Sequence, residues 1–427
     1  MFHCTSLCLP PEAAIKRESI RPVEFRQPGF DEAFDASTLF YDLILSRNKH
    51  GNNLILIGPP FLNLFPSFYG GRIAGKPIAS TISNYYFRDG CCDVWIPNWD
   101  NDAVHLEFDF GSYRLTPQRP ATHLYQQRRV LFTLSRDNEL SWIVDWVQFH
   151  ARNHGANAVL LYDNASTRYS GEDLERSLRE AFPSFEINVV HWPYKYGPQG
   201  FNGGWWDSTF CQAGAFQDAR FRFLDSASSV LNCDIDELVV AEKGESIFDI
   251  TEKSRNGCTM FSGKWISNAT FGTQPAFNSP SDLRHRCFRY LARTQPGPCP
   301  NKWCVVPRRC KLEDHWDQHT VSGRDLASSY SDSFSYRHFQ SISTNWKYQR
   351  VRSVVFDPKL HQFDKILEEA LVRAEIARPE AGAPKPLLEI FRQITYYDRI
   401  KHLGARWKRH LRNVAHHMRW LVSQLNP

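Results

Sequence analysis

Residues 230–238 read Val230-Leu231-Asn232-Cys233-Asp234-Ile235-Asp236-Glu237-Leu238, an apolar run that opens into three acids within four positions. If the backbone stays extended there, side chains alternate between faces, and Asp234 and Asp236 project to the same side. Two convergent carboxylates make a hard oxygen site for Mn2+ or Mg2+. An ion so held offsets negative charge growing on a departing diphosphate. Acid-x-acid triplets are common in solvated loops, so this one draws its weight from its place directly after a buried strand.

The elements around it must be such as to bring that place to a ligand. From about residue 128 short apolar runs alternate with amphipathic ones. Val130–Leu134, Ala158–Tyr162, Phe185–Val190 and Ser229–Asn232 read as strands. Asp137 reads as the N-cap of a helix running to about Asn153, with Gly155 as its stop signal. Gly171–Ala181 and Ser208–Arg220 read as further helices. This alternation predicts an α/β fold with a parallel sheet covered by helices on both faces. Ligands in such sheets bind beyond the carboxyl ends of the strands. Three polar loops fall there: Ser135-Arg136-Asp137, Asp163-Asn164 and Asp234-Ile235-Asp236. Arg136 is a candidate counter-charge for phosphate, although most loop arginines are merely solvated. Asp163-Asn164 also fits a plain Asx turn.

Two other regions flank this one. Residues 1–125 are rich in Gly, Pro, Asn and aromatics, with Val104–Phe110 alternating as a half-buried strand, and read as a β-rich accessory region. The catalytic stretch is expected over 126–345, and a helical C-terminal segment over 346–427. In the last of these, Ile400, Leu403, Trp407, Leu411, Val414, Met418 and Leu421 recur at helical spacing among basic residues. A basic amphipathic helix over 396–427 suits an anionic membrane surface, and suits equally a helix packed on its own protein.

The net charge of +5 gives no reason to invoke nucleic acid. Neither a leader pattern nor a run of about 18 apolar residues is found, so the expected location is cytoplasmic, peripheral on a membrane face at most. Eleven cysteines, irregularly spaced, fit free thiols better than a disulfide framework. Cys287, Cys299, Cys304 and Cys310 lack the C-x-x-C pair of a structural zinc site.

Several motifs in order resemble glycosyltransferase family 92 and its bacterial family 2-like relatives. They are Asp137-Asn138-Glu139, Trp146 through His150, Leu161-Tyr162-Asp163-Asn164-Ala165-Ser166, Gln212 to Asp218, and Asp234 to Glu237. Lys264-Trp265 to Phe271-Gly272, Lys302 to Pro307 and His319-Thr320-Val321 continue the series, over roughly residues 128–340. The resemblance implies a GT-A-type, Rossmann-like mixed sheet, a nucleotide-diphosphate sugar donor and an inverting outcome. Carried across, Asp236 ligates the metal, Asp234 contacts ribose or metal, and His319 is the third protein ligand, with His315 competing for that role. Asp163 and Asn164 lie near the nucleoside, with Gln212 and Arg136 also on the donor side. Trp265 is an acceptor-side candidate, although it fits a core position as well, and Trp205, in a loop-like stretch after Gly203-Gly204, is another. Glu313-Asp314 is the candidate base pair, Asp314 preferred and Asp282 second.

The reading is a Mn2+- or Mg2+-dependent transferase moving a hexose, galactose as the leading guess, from a UDP-linked donor to a glycan or lipid-linked acceptor. The competing readings are a catalytically silent sugar- or polyanion-binding protein and a metal-dependent phosphohydrolase.

Overall fold

The computed structural model describes residues 1–48, 51–88, 90–200, 207–270, 283–344 and 353–377. Met1–Ala377 form one compact unit. At its centre is a mixed sheet, and the chain enters it in the predicted rhythm. Strand β1 (Arg129–Ser135) leads to α1 (Leu140–His154), β2 (Ala158–Asp163), α2 (Gly171–Ala181) and β3 (Glu186–His191). Helix α3 (Phe210–Asp218) runs into a buried π-helical turn, Ala219–Leu224, before β4 (Ser229–Asn232). These four strands are parallel in the order β3-β2-β1-β4.

Beyond β4 the sheet becomes mixed, most of its pairs antiparallel. β5 (Glu237–Ala241), β6 (Cys258–Ile266), β7 (Cys299–Val305) and β8 (Phe334–Phe339) complete the part that matters for the site. β7 lies between β4 and β6, while β8 bridges β6 and β5, parallel to β6 and antiparallel to β5. Both faces are buried, and strand alternation sorts the residues between them. Leu131, Val159, Leu161, Ile187 and Leu231 face one apolar core with α1 and α2. Val130, Phe132, Leu160, Tyr162 and Val230 face another with α3.

Helix α1 shows how local sequence sets an element. Trp142, Ile143, Trp146, Val147, Phe149 and His150 bury one stripe, and Gly155 ends the helix at φ 75°. Asp137 does not cap it. At φ 54° it sits in the left-handed region, and its carboxylate accepts the N–H groups of Thr167 (2.6 Å) and Arg168 (3.0 Å). The residue expected to start a helix thus ties together the loops after β1 and β2.

In residues 1–125, Asp42–Asn48, Gly51–Gly58, Cys91–Pro97 and Asn84–Arg88 form an antiparallel sheet. Its face carrying Leu43, Leu45, Leu54, Leu56, Val94 and Ile96 packs on a second small sheet that contains Val104–Phe108. Its other face, Ile44, Ile55, Ile57 and Trp95, meets Phe221 of the π-helical turn. Near the other end of the unit, residues 361–363 add a strand and Lys365–Arg373 a helix against the α1 side of the core. The basic segment 396–427 lies outside the described residues. Among the described residues, no helix is long and apolar enough to cross a membrane.

Candidate active site

The carboxyl ends of the parallel strands lie level: Ser135 beside Asp163, Asp163 beside His191, and Phe132 beside Asn232. After β4 the chain does not stay extended. The Glu237 N–H donates to the Asp234 carbonyl at 3.0 Å, closing a tight turn over Asp234–Glu237. The alternation expected of Asp234 and Asp236 therefore does not hold, and each carboxylate takes a partner of its own. Asp234 Oδ2 accepts from Lys302 Nζ at 2.7 Å, while Asp236 Oδ2 lies 3.2 Å from His338 Nε2.

Three bonds fix the turn. Glu237 Oε2 accepts the Asp234 N–H at 2.9 Å, His285 Nε2 donates to the Ile235 carbonyl at 3.0 Å, and the Phe339 N–H donates to the Asp236 carbonyl at 2.8 Å. His285 is itself backed by Asp145, whose carboxylate also pairs with Arg284. Burial alone would raise the Asp145 pKa, but the hydrogen bonds and charge contacts of His285 and Arg284 hold it below the usual carboxylate range.

Charges alternate across the turn: Asp234, Lys302, Glu237, His338, Asp236. Lys302 Nζ is 3.1 Å from Glu237 Oε2, and His338 Nδ1 is 3.9 Å from Glu237 Oε1. Burial pushes Glu237 up to about 7 against the pull of Lys302. Burial disfavours the charge on Lys302, yet Asp234 and Glu237 keep its pKa above the ordinary value. Burial would likewise lower His338, but the Asp236 carboxylate reverses that and pushes it up to about 10. Trp265 stacks on the His338 ring at 4.1 Å and 20°, its indole N–H donating to the Gly297 carbonyl at 3.1 Å.

Asp236 and His338 fit one metal ion that displaces the proton between His338 Nε2 and Asp236, since only a neutral imidazole has a lone pair to give. Their facing atoms are separated by roughly the 3 Å edge of a coordination octahedron with bonds near 2.1 Å, and an imidazole with a carboxylate suits a Mn2+-class ion. Among the described residues no further His, Cys or carboxylate joins that pair closely enough to make a set of three.

The other candidates divide. Asp163 is brought to the strand ends. It is buried, its Oδ1 has no partner among the described residues, and burial raises its pKa. His319 reaches the same edge, with Nδ1 3.1 Å from the Asn301 carbonyl and the neighbouring Gln318 carbonyl accepting from the Asn232 amide. Arg136 is exposed beside Asp137, at 3.8 Å. Asn164 ties the chain instead of facing a ligand: its amide donates to the Trp192 and Tyr194 carbonyls, each at 2.8 Å. Gln212 Oε1 accepts from the Tyr196 hydroxyl at 2.7 Å. Trp205 and Asp282 lie outside the described residues.

Glu313 and Asp314 are not brought to the acidic turn. Asp314 is buried, accepts the Lys311 N–H and pairs with Arg324, which donates to the Asn256 carbonyl just before β6, at the opposite end of the sheet. Glu313 is solvent-exposed on the same loop. His315 is buried on the same loop beside Arg88 and Arg220, and burial and those two cations lower its pKa to about 3. The four thiols considered for zinc do not converge: Cys299 and Cys304 stand five residues apart on β7, and Cys310 Sγ accepts from the Trp316 indole. Lys302, His285 and His338 complete the site without having been singled out as site residues. A lysine inside the apolar run of β7 was the legible signal, because a buried ammonium demands a carboxylate.

A second acidic cluster lies where residues 1–125 meet the central sheet. Cys4, Asp42 and Asp218 bring their ligand atoms within 4.8 Å of one another. Arg222 pairs with Asp42 at 2.9 Å, and the Tyr162 hydroxyl donates to Asp218 at 2.5 Å. Burial raises both carboxyls. One proton shared between them is best placed on Asp218, since Asp42 already accepts from Thr5, Leu43 and Arg222 whereas Asp218 Oδ1 has no other donor.

No curated protein matches the chain. Among solved structures, the apo form of the WbbM bifunctional glycosyltransferase is similar at 13% identity over 37% of this chain, with a TM-score of 0.25. The matched part is 26% of that protein's length, and the likeness is too slight to argue from. The sequence profile of glycosyltransferase family 92 matches residues 135–371, more than half of the chain and every described residue of the acidic turn and its partners. The chain belongs to glycosyltransferase family 92 and is a glycosyltransferase.

Proposed function

We propose that the enzyme is metal-dependent and inverting, with a GT-A arrangement, moving a hexose from a UDP-linked donor to a glycan or glycolipid. Galactose is the leading choice of sugar. The observation that carries the metal reading is the Asp236–His338 pair at the carboxyl end of β4, 3.2 Å apart and held by bonds to the surrounding backbone. Asp236 and His338 would hold Mn2+ or Mg2+, in place of the expected set with His319. An ion held there supplies Lewis-acid offset of charge on the leaving diphosphate. The chain's own residues do the rest. Asp163, with a buried unpartnered oxygen, and Asp234, whose carboxylate is 30% exposed, are placed to accept hydroxyl or N–H groups of the nucleoside. Trp265 offers an aromatic edge beside the reacting end, which suits a sugar on the acceptor side.

Thermal-shift screening with UDP-, GDP-, CMP- and dTDP-sugars, with and without Mn2+, tests the reading. Metal-dependent stabilisation by one nucleotide class, lost in Asp236→Ala, is the expected result. Stabilisation that ignores Mn2+ in wild type would overturn the metal assignment. The basic pattern of 396–427 supports attachment to an anionic bilayer, in reach of lipid-linked acceptors. Vesicles of mixed phosphatidylserine and phosphatidylcholine should sediment the full chain and release a variant lacking 396–427; equal sedimentation of the two would remove the idea.

A further inference from the structure

We infer that Lys302 is a positioning residue for the transfer. Its buried ammonium holds the Asp234 carboxylate apart from the Asp236–His338 pair, so the turn presents one metal-binding carboxylate and one acceptor for donor hydroxyls. This rests on the metal-dependent reading above and adds a residue to it.

The placement is unusual enough to need a reason. Lys302 is 1% exposed on β7, opposite Phe261 on β6 and followed by the buried Trp303 and Cys304. Placing an ammonium in such surroundings is costly unless its partners are well made. Here they are: Asp234 at 2.7 Å and Glu237 at 3.1 Å, with Glu237 also accepting the Asp234 N–H. Glu237 therefore aims the lysine, and the lysine aims Asp234. Two consequences follow. Asp234 is drawn away from chelation and keeps an oxygen toward solvent, and a fixed positive charge beside the turn weakens its grip on a divalent cation. A site that must release its diphosphate product after each turnover would gain from both.

Lys302→Met alone would strand Glu237 without a counter-ion and could unfold the protein, so the informative variant is Lys302→Met/Glu237→Gln. It removes the charge pair together and leaves an amide oxygen to accept the Asp234 N–H. Mn2+ binding is followed by the loss of the free-ion resonance signal, and UDP binding by calorimetry at saturating Mn2+, with the melting temperature as a check on folding. The expected result is a folded variant whose Mn2+ dissociation constant falls several-fold while its UDP constant rises about ten-fold. A merely structural role would weaken both together. Matching constants in the variant and a metal-binding wild type would overturn the inference alone, as would joint weakening. Wild-type protein that binds no Mn2+ would overturn the parent reading and this one with it. Should the double variant not fold, Lys302→Gln/Glu237→Gln, which keeps polar side chains at both positions but removes both charges, serves: the same signs are expected, smaller, and unchanged constants overturn the inference.

Discussion

Two acidic clusters occupy the same unit of this enzyme, and they are built on opposite plans. At the junction with residues 1–125, Cys4, Asp42 and Asp218 converge until their ligand atoms share a small space, shut from solvent and closed by Arg222 and Tyr162. At the end of β4, Asp234 and Asp236 are held apart, each beside its own cation and each partly open. Convergence alone would name the first as the metal centre. The proposed metal site is the second, where charge and access are kept. Fully buried carboxyls answer crowding by sharing a proton and recruiting a guanidinium, which settles the cluster and leaves no vacancy for a cation. Carboxylates meant to meet a ligand must keep charge, exposure and direction, and a lysine and a histidine placed between them preserve all three.

The contrast can be broken most directly by single substitutions. Asp236→Ala should lower kcat/KM by about a thousand-fold, about 4 kcal/mol of barrier, while moving the melting temperature little, because Asp236 lies at a partly open edge. A large loss of stability with proportionate loss of activity would make Asp236 structural and erase the distinction. At the junction the expectation inverts. Asp42→Asn turns amide hydrogens toward donors that Asp42 now accepts, and should cost about 3 kcal/mol of stability, with kcat/KM per folded molecule unchanged. Asp218→Asn reproduces the protonated acid and should cost less than about 1 kcal/mol. Chemical denaturation of the two variants reads this difference, and a reversed order would move the shared proton to Asp42.

What the sequence disclosed of each cluster differs for a physical reason. Strand-after-strand periodicity carried β1 to β4 and placed Ser135, Asp163 and Asp234 at one edge, because burial on both faces forces continuous apolar runs that are readable locally. The conformation of Asp234–Glu237 was not readable that way. It depends on His285 and Phe339 gripping the turn, contacts that join residues 50 and 103 positions apart. His338 escaped for the same reason. It sits in Phe334–Phe339, a short strand with no acidic neighbour; the parallel pairing with β6 sets it under Trp265, and the antiparallel pairing with β5, Glu237 opposite His338, sets it against Asp236. His319, by contrast, drew notice through the His319-Thr320-Val321 motif, with His315 as its competitor. The junction cluster left no local trace either, being assembled from residues 4, 42, 218 and 222.

Histidines sharpen the comparison further, because the ones behind the turn must be neutral where His338 is charged. His150 donates from Nδ1 to the Trp146 carbonyl at 2.8 Å and accepts the Val239 N–H on Nε2 at 3.2 Å. His154 donates from Nε2 to the Val239 carbonyl at 2.8 Å and accepts the Ile247 N–H on Nδ1 at 3.3 Å. Each ring uses one nitrogen in each role, so neither can take a second proton without losing a bond. Burial accordingly lowers His150 to about 3 and His154 to about 4, from an ordinary 6.5. Below about 6.5 the unfolded chain binds protons that the native chain refuses, so the stability these two contribute is intact above 6.5 and lost as pH falls toward 4 and 3. Over that window His154 should forfeit about 3 kcal/mol and His150 about 5 kcal/mol. Urea titrations from pH 7.5 to 4.5 read the slope, which His154→Gln should reduce, because glutamine pairs a donor with an acceptor and never titrates. A slope unchanged in that variant would mean that His154 protonates in the native state, and that β5 does not need the neutral ring to follow the acidic turn.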